Sequence, residues 1–164
     1  MAFLLRMAGV ADAPAIAAIY ASYVLTSAAT FELEPPDVEE VSRRMRSAME
    51  GEFPYLVAEV DGVVAGYAYA SPFRAREAYR FTVEDSVYVG TEYAGRGVGR
   101  ELLKELMERC RATGFRQMIA VIGGVNPASV AMHKAMGFAH VGVLREVGFK
   151  FNASQDVTLM QREL

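Results

Sequence analysis

The stretch TVEDSVYVGTEYAGRGVGRELL, residues 82–103, decides the fold. In its first eight residues Thr82, Glu84, Ser86 and Tyr88 alternate with Val83, Asp85, Val87 and Val89, and three of the latter four are apolar. That period of two reads as a strand with one buried face. From Val98 the period changes. Leu102, Leu103, Leu106, Met107 and Cys110 recur at helical spacing, Lys104, Glu105, Glu108 and Arg109 fall elsewhere, and Gly114 closes the helix. Between strand and helix lies Ala94-Gly95-Arg96-Gly97-Val98-Gly99. Such a turn presents unpaired backbone N–H groups, backed by the helix dipole, to an anion. The glycines let the backbone approach a diphosphate, and Arg96 and Arg100 add positive charge. From the glycines alone, an ordinary turn with an N-cap reads equally well.

Outward from this centre, residues 3–7 read as a first strand. Asp12 caps a helix to Tyr23 with Pro14 in its first turn, and residues 26–37, with Pro35 and Pro36, break it. Val41, Met45 and Met49 mark a second helix over residues 38–49. Residues 55–60 and 63–71 flank Asp61-Gly62, a tight-turn signal, and make a β-hairpin. Residues 117–122 form a buried strand, Asn126 caps a helix to Met136 ended by Gly137, and residues 139–149 and 156–163 are two more strands. No repeat or linker interrupts the chain, so one domain is expected over residues 1–164.

Composition narrows the function. A chain of 164 residues, 52% hydrophobic and 23% charged, builds its own core but has no room for separate cofactor and substrate domains. Its 17 basic and 20 acidic residues are mixed along the chain and give no basic field for nucleic acid or anionic lipid. Cys110 is the single cysteine, and no Cys/His set has metal-ligand spacing, so a reducing compartment and a metal-free site are expected. Arg6 and Asp12 interrupt the apolar start before a signal-peptide core forms, and no apolar run suits a membrane span. A soluble cytoplasmic protein is expected. The glycine turn lacks the Gly-Lys-Ser/Thr of a Walker loop, and it follows several elements rather than the first strand, as a dinucleotide fold would require.

Residues 87–103 resemble the cofactor motif of the GNAT acetyltransferase superfamily, Gln/Arg-x-x-Gly-x-Gly/Ala. Gly97 and Gly99 match it, and Ala94 departs at its first position. Asn126-Pro127-Ala128-Ser129, His133 and Met136-Gly137-Phe138 are similar to the downstream asparagine helix and Gly-Phe ending. The resemblance implies an α/β (α+β) fold with a mixed, mostly antiparallel sheet of six or seven strands flanked by four helices. It implies acetyl-CoA as acyl donor, held by Val87, Tyr88, Val89, Gly95, Arg96, Gly97, Val98, Gly99, Arg100 and Asn126.

Residues 73–89 and 147–164, with Phe31, resemble the phosphinothricin and methionine sulfoximine or sulfone N-acetyltransferases more closely. Asn152-Ala153-Ser154-Gln155 departs from a segment that usually carries Trp there. This resemblance implies N-acetylation of a small amino-acid-like acceptor bound by Phe31, Arg74, Arg76 and Tyr79, and a homodimer. Acetyl transfer needs a neutral amine, hence a base. The resemblance assigns that role to Glu84, which as a strand carboxylate also reads as an ion-pair partner of Arg76 or Arg80. His133 falls where many relatives carry a tyrosine that protonates the departing thiolate, although a lone helical His is more often structural. Two other readings stay open: a protein or peptide N-acetyltransferase, and a non-catalytic CoA-binding regulatory module.

Overall fold

In the computed structural model, which describes residues 2–164, seven strands form one sheet in the order β1-β2-β3-β4-β5-β7-β6. The strands are β1 (Leu4–Met7), β2 (Tyr55–Val60), β3 (Val63–Pro72), β4 (Thr82–Val89), β5 (Gln117–Gly123), β6 (Ala139–Lys150) and β7 (Ala153–Glu163). The helices are α1 (Ala13–Thr26), α2 (Val38–Glu50), α3 (Val98–Thr113) and α4 (Pro127–Ala135). All neighbouring strands are antiparallel except β4 and β5. The mostly antiparallel sheet with four helices is the fold class that the resemblance implied.

Alternation along the strands gives the sheet two different faces. Tyr55, Val57 and Tyr67 pack against Ile16, Tyr20 and Val24 of α1 and Val41 and Met45 of α2. On the other face Leu56, Ala58, Ala68, Ala70 and Val83 receive Leu102, Leu103 and Leu106 of α3. Small residues here let α3 lie close: a Cβ at Gly66 would come within 2.9 Å of the Tyr88 carbonyl and 3.2 Å of Leu102.

Local signals explain most boundaries. Asp61 and Gly62 both have positive φ, as a type I′ hairpin turn requires. Asp37 accepts the Glu40 N–H and starts α2. Gly114, at φ 106, ends α3, with the Phe115 N–H returning to the Cys110 carbonyl. Asp12 departs from its expected role: its carboxylate accepts two bonds from Arg6 and one from the Gly9 N–H, so it makes no side-chain cap on α1. The helix also runs on to Thr26. At the other end, β7 begins at Ala153 rather than Asp156, because Phe151 and Asn152 make the turn and Lys150 pairs with Ala153.

The feature that positions the site is a split in the sheet. β4 and β5 pair only at Thr82↔Gln117, Val83↔Met118 and Glu84↔Ile119. Beyond that point β4 stays with β3 up to Val89, while β5 stays with β7 down to Gly123, leaving a wedge between the two strands.

Candidate active site

A cavity of about 290 Å³ occupies the wedge, and Phe31, Glu84, Val87, Tyr88, Asn126 and His133 line it. β4 supplies its backbone edge. The Tyr23 hydroxyl donates to the Val89 carbonyl at 2.8 Å and accepts the Val89 N–H at 3.3 Å. Ladder groups alternate along an antiparallel strand, so Tyr88 turns its N–H and C=O toward β3 and Val87 turns its own toward the wedge. Of the three β4 residues expected to meet the donor, Val87 therefore has the available N–H.

The glycine turn meets the same wedge. Gly95 and Gly97 have φ of 72 and 85, and a Cβ on either would find no atom within 4 Å, so the backbone lies open on its outer side. Gly97 precedes α3 without a side-chain cap, leaving the first-turn N–H groups of Val98, Gly99 and Arg100 without intrahelical acceptors. Gly99 stands 3.4 Å, measured from an ideal Cβ, from Val89 and from Met132. Arg96 lies 6.0 Å from the Tyr93 ring, and Arg96 and Arg100 border an open recess beside the turn. An open, N–H-rich turn beside a strand edge fits the diphosphate and amide arm of CoA. Asn126 caps α4 by accepting the Ser129 N–H at 3.1 Å.

Glu84 forms no ion pair with Arg76 or Arg80; none of the ion pairs among the described residues includes it. Burial, and secondly the charge of Asp85, push its pKa up to about 6. On the opposite side of β4, Asp85 and His133 are 7% and 3% exposed, and Asp85 Oδ1 lies 2.9 Å from His133 Nε2. His133 Nδ1 lies 2.8 Å from the Ser129 carbonyl, which can only accept, so Nδ1 carries hydrogen. Burial disfavours the imidazolium, but the hydrogen bond and charge of Asp85 and the Ser129 carbonyl outweigh it, and the His133 pKa rises. Nε2 shares its hydrogen bond with Asp85 Oδ1, and Asp85 Oδ2 is left buried without a partner.

Phe31 belongs to a loop that is pinned from three directions. Lys150, 3% exposed, donates to the carbonyls of Ser27 and Thr30 at 2.7 and 2.8 Å. The Thr30 hydroxyl pairs with that of Tyr20 at 2.7 Å. A Cβ on Gly148 would collide with the Phe31 ring, and one on Gly123 with the Ala28 carbonyl. Arg74, Arg76 and Tyr79 are not brought onto the cavity wall. They stand exposed on the segment joining β3 to β4, where Arg74 lies 5.1 Å from the Phe73 ring and Tyr79 meets that ring edge-on at 5.9 Å.

Sequence reasoning missed Asp85, Tyr23 and Lys150. Asp85 left one signal, a single charge on the apolar side of β4. Lys150 left none, since a lysine near a hairpin turn reads as solvated.

A split sheet with an N–H-rich helix start beside a free strand edge defines a CoA-binding transferase. The GNAT acetyltransferase domain family matches residues 5–159. The phosphinothricin N-acetyltransferase of Alcaligenes faecalis is 51% identical over 154 residues, 93% of this chain and 78% of that protein. The L-methionine sulfoximine/L-methionine sulfone acetyltransferase of Pseudomonas aeruginosa is 39% identical over 165 residues, 100% of this chain and 96% of that protein. A solved phosphinothricin acetyltransferase from Sinorhizobium meliloti, in complex with acetyl-CoA, superposes with a TM-score of 0.98 at 48% identity, covering 100% of this chain and 89% of that one. The chain belongs to the GNAT acetyltransferase family. It is an acetyl-CoA-dependent N-acetyltransferase. Among the described residues, no group of three or more His, Cys, Asp or Glu could hold a metal ion, and no helix is long and apolar enough to cross a membrane.

Proposed function

We propose that the chain, working as a single domain over residues 1–164, acetylates the amino group of a small anionic amino acid of the phosphinothricin or methionine sulfoximine type, by direct transfer in a ternary complex. The observation that carries this reading is Glu84, a carboxylate at the point of the strand split, without a cation partner and with its pKa pushed up to about 6. That value moves it toward the range in which a carboxylate accepts protons at neutral pH. Glu84 takes the proton of the acceptor ammonium, directly or through water, and leaves a neutral nitrogen.

Acetyl-CoA, when bound, supplies the acetyl thioester. The turn from Gly95 through Arg100 holds its diphosphate, while Tyr88, Val89 and Asn126 line its arm. The Val87 N–H donates to the acetyl oxygen and favours the negative charge that develops there. His133, which lines the cavity and is held through Nε2 by Asp85 and through Nδ1 by the Ser129 carbonyl, is the residue we assign to protonating the departing thiolate, with Asp85 exchanging the proton as the pair's second member. Cys110 is fully buried and its thiol is pushed up to about 12, which supports direct transfer over an acyl-cysteine route. Phe31 packs against the acceptor. Arg74, Arg76 and Tyr79 bind its carboxylate or anionic side chain, for which guanidinium groups are suited.

We also infer a homodimer. Val141, Leu144, Val147, Phe149 and Phe151 are exposed along or just beyond β6, the edge strand, and a second copy would cover them. Sedimentation at micromolar concentration tests it, and a monomer would contradict it. We assign the protein to the cytoplasm, where its one cysteine stays reduced.

The reaction is tested by following thiol release from acetyl-CoA with phosphinothricin, methionine sulfoximine, methionine sulfone, polyamines and peptides. Release with the first three supports the reading, and release confined to peptides refutes it.

A further inference from the structure

The donor site lies in two pieces. Among the described residues, the wall of the wedge cavity follows β4 from Glu84 to Tyr88 and includes neither Val89 nor the glycine turn. Val89 stands between them, its side chain 3.4 Å from an ideal Cβ on Gly99. A donor with its diphosphate at the turn and its acetyl group at Val87 must run past Val89, where the Tyr23 hydroxyl holds both backbone groups. We propose that Tyr23 is a gate on the donor channel: its phenol occupies the place of the CoA arm at Val89 and swings away when the arm binds. The gate rests on the donor reading above and adds a control on that same site.

The hydrogen bonds show what Tyr23 imitates. Beyond Glu84, β4 has lost β5 as a neighbour, so the N–H and C=O groups on that edge have no ladder partner. At Val89 one hydroxyl serves both, donating to the carbonyl at 2.8 Å and accepting the N–H at 3.3 Å. To bond both groups of one strand residue, the phenol oxygen must lie near the sheet plane, where a neighbouring strand would place its amide. The CoA arm carries secondary amides, each with a donor and an acceptor, which pair with a strand edge in the same pattern. Arm and phenol therefore compete for one place.

Tyr23 is also placed to leave. It lies in the last turn of α1, is half-buried, and meets the Tyr88 ring edge-on at 5.0 Å. Tyr20, three residues earlier, is 9% exposed and bonded to Thr30 inside the core, so it has no such freedom. When Tyr23 turns outward, its hydroxyl exchanges Val89 for water while the arm takes over both backbone groups. No polar group is left unpaired in either state, which keeps the exchange inexpensive.

Donor binding is measured by isothermal titration for wild type and Tyr23→Phe with acetyl-CoA and with CoA, and thermal melts are recorded without donor and at saturation. Tyr23→Phe keeps the ring and removes the competitor, so both ligands are expected to bind about threefold to tenfold more tightly, the worth of one net hydrogen bond. Without donor the variant is expected to melt below wild type, and the gap should close at saturation, because the bond it lacks is already broken in the complex. A tyrosine that serves only the fold gives a gap of equal size with and without donor, and an affinity unchanged or weakened. Either result overturns the gate and leaves the proposed function standing. Tyr23→Leu gives the same comparison if the Phe variant does not fold, since leucine suits a helix. Wild type that binds neither acetyl-CoA nor CoA overturns both.

Discussion

Replacing Glu84 with Gln keeps the side-chain shape and removes its charge and basicity, so activity and stability should move in opposite directions. Burial and Asp85 raise the Glu84 pKa from 4.5 to about 6, a shift of about 1.5. At about 1.36 kcal/mol per pKa unit this is about 2 kcal/mol, and screening of a partly exposed group reduces it to about 1 kcal/mol. The folded pKa lies above the unfolded one, so protonated Glu84 favours the fold below about pH 4.5 and that advantage is lost as pH rises through about 6. Above that pH the wild type holds a partly buried charge that Gln lacks. Glu84→Gln is therefore expected to be more stable by about 1 kcal/mol near pH 8, a Tm gain of about 2–4 °C for a chain of this size, with the gap closing near pH 4.5. In the same variant acceptor kcat/KM should fall about 10²–10⁴-fold, and the wild-type rate limb that rises through about pH 6 should vanish. Thermal melts at both pH values and a thiol-release pH profile measure the two effects. A stability gap of equal size at both pH values, or a limb that survives the substitution, refutes the reasoning.

Three further outcomes follow from the site. Lys150→Met removes the clamp on the loop carrying Phe31, so the acceptor KM should rise about tenfold while the acetyl-CoA KM stays within about twofold; equal rises would mean that Lys150 acts only on the fold. Asp85→Asn removes the partner that raises the His133 pKa. Imidazolium pairing stabilises below the unfolded histidine pKa of 6.5 and is lost as pH rises through the folded value, so the deficit of up to about 3 kcal/mol should be largest at acid pH and shrink above neutrality in urea titrations. Gly97→Ala forces a Cβ onto a residue at φ 85, at a cost of about 1–2 kcal/mol, and puts a methyl group into the open space on the outer side of the turn where the diphosphate would lie, so isothermal titration should find acetyl-CoA binding weakened about tenfold or more with acceptor binding unaffected.

The parts of this molecule legible in the sequence are those set by neighbours along the chain. The stripe from Val98 to Cys110, the Asp61-Gly62 turn and the alternation of β4 each depend on residues within one element, and the structure keeps all three. Asp12 misled because a local capping signal lost to a tertiary partner, the Arg6 guanidinium, which offers two charged donors. The separation of β4 from β5 after Glu84 has no local signature. Asp85 and His133 are 48 residues apart, and Lys150 reaches carbonyls 120 and 123 residues away, so neither contact leaves a pattern in either segment. Arg74, Arg76 and Tyr79 are expected at the acceptor only through the resemblance, and their exposed segment carries them outside the cavity wall.

The central claim is that this chain moves an acetyl group from acetyl-CoA to the nitrogen of a small amino acid by direct transfer. Mass spectrometry of the protein and small molecules after incubation with acetyl-CoA and phosphinothricin tests it most directly. The account predicts N-acetylated phosphinothricin in amounts equal to the free CoA released, and an unmodified polypeptide. CoA release with the acetyl group on Cys110 or elsewhere on the protein, and none on phosphinothricin, would contradict it.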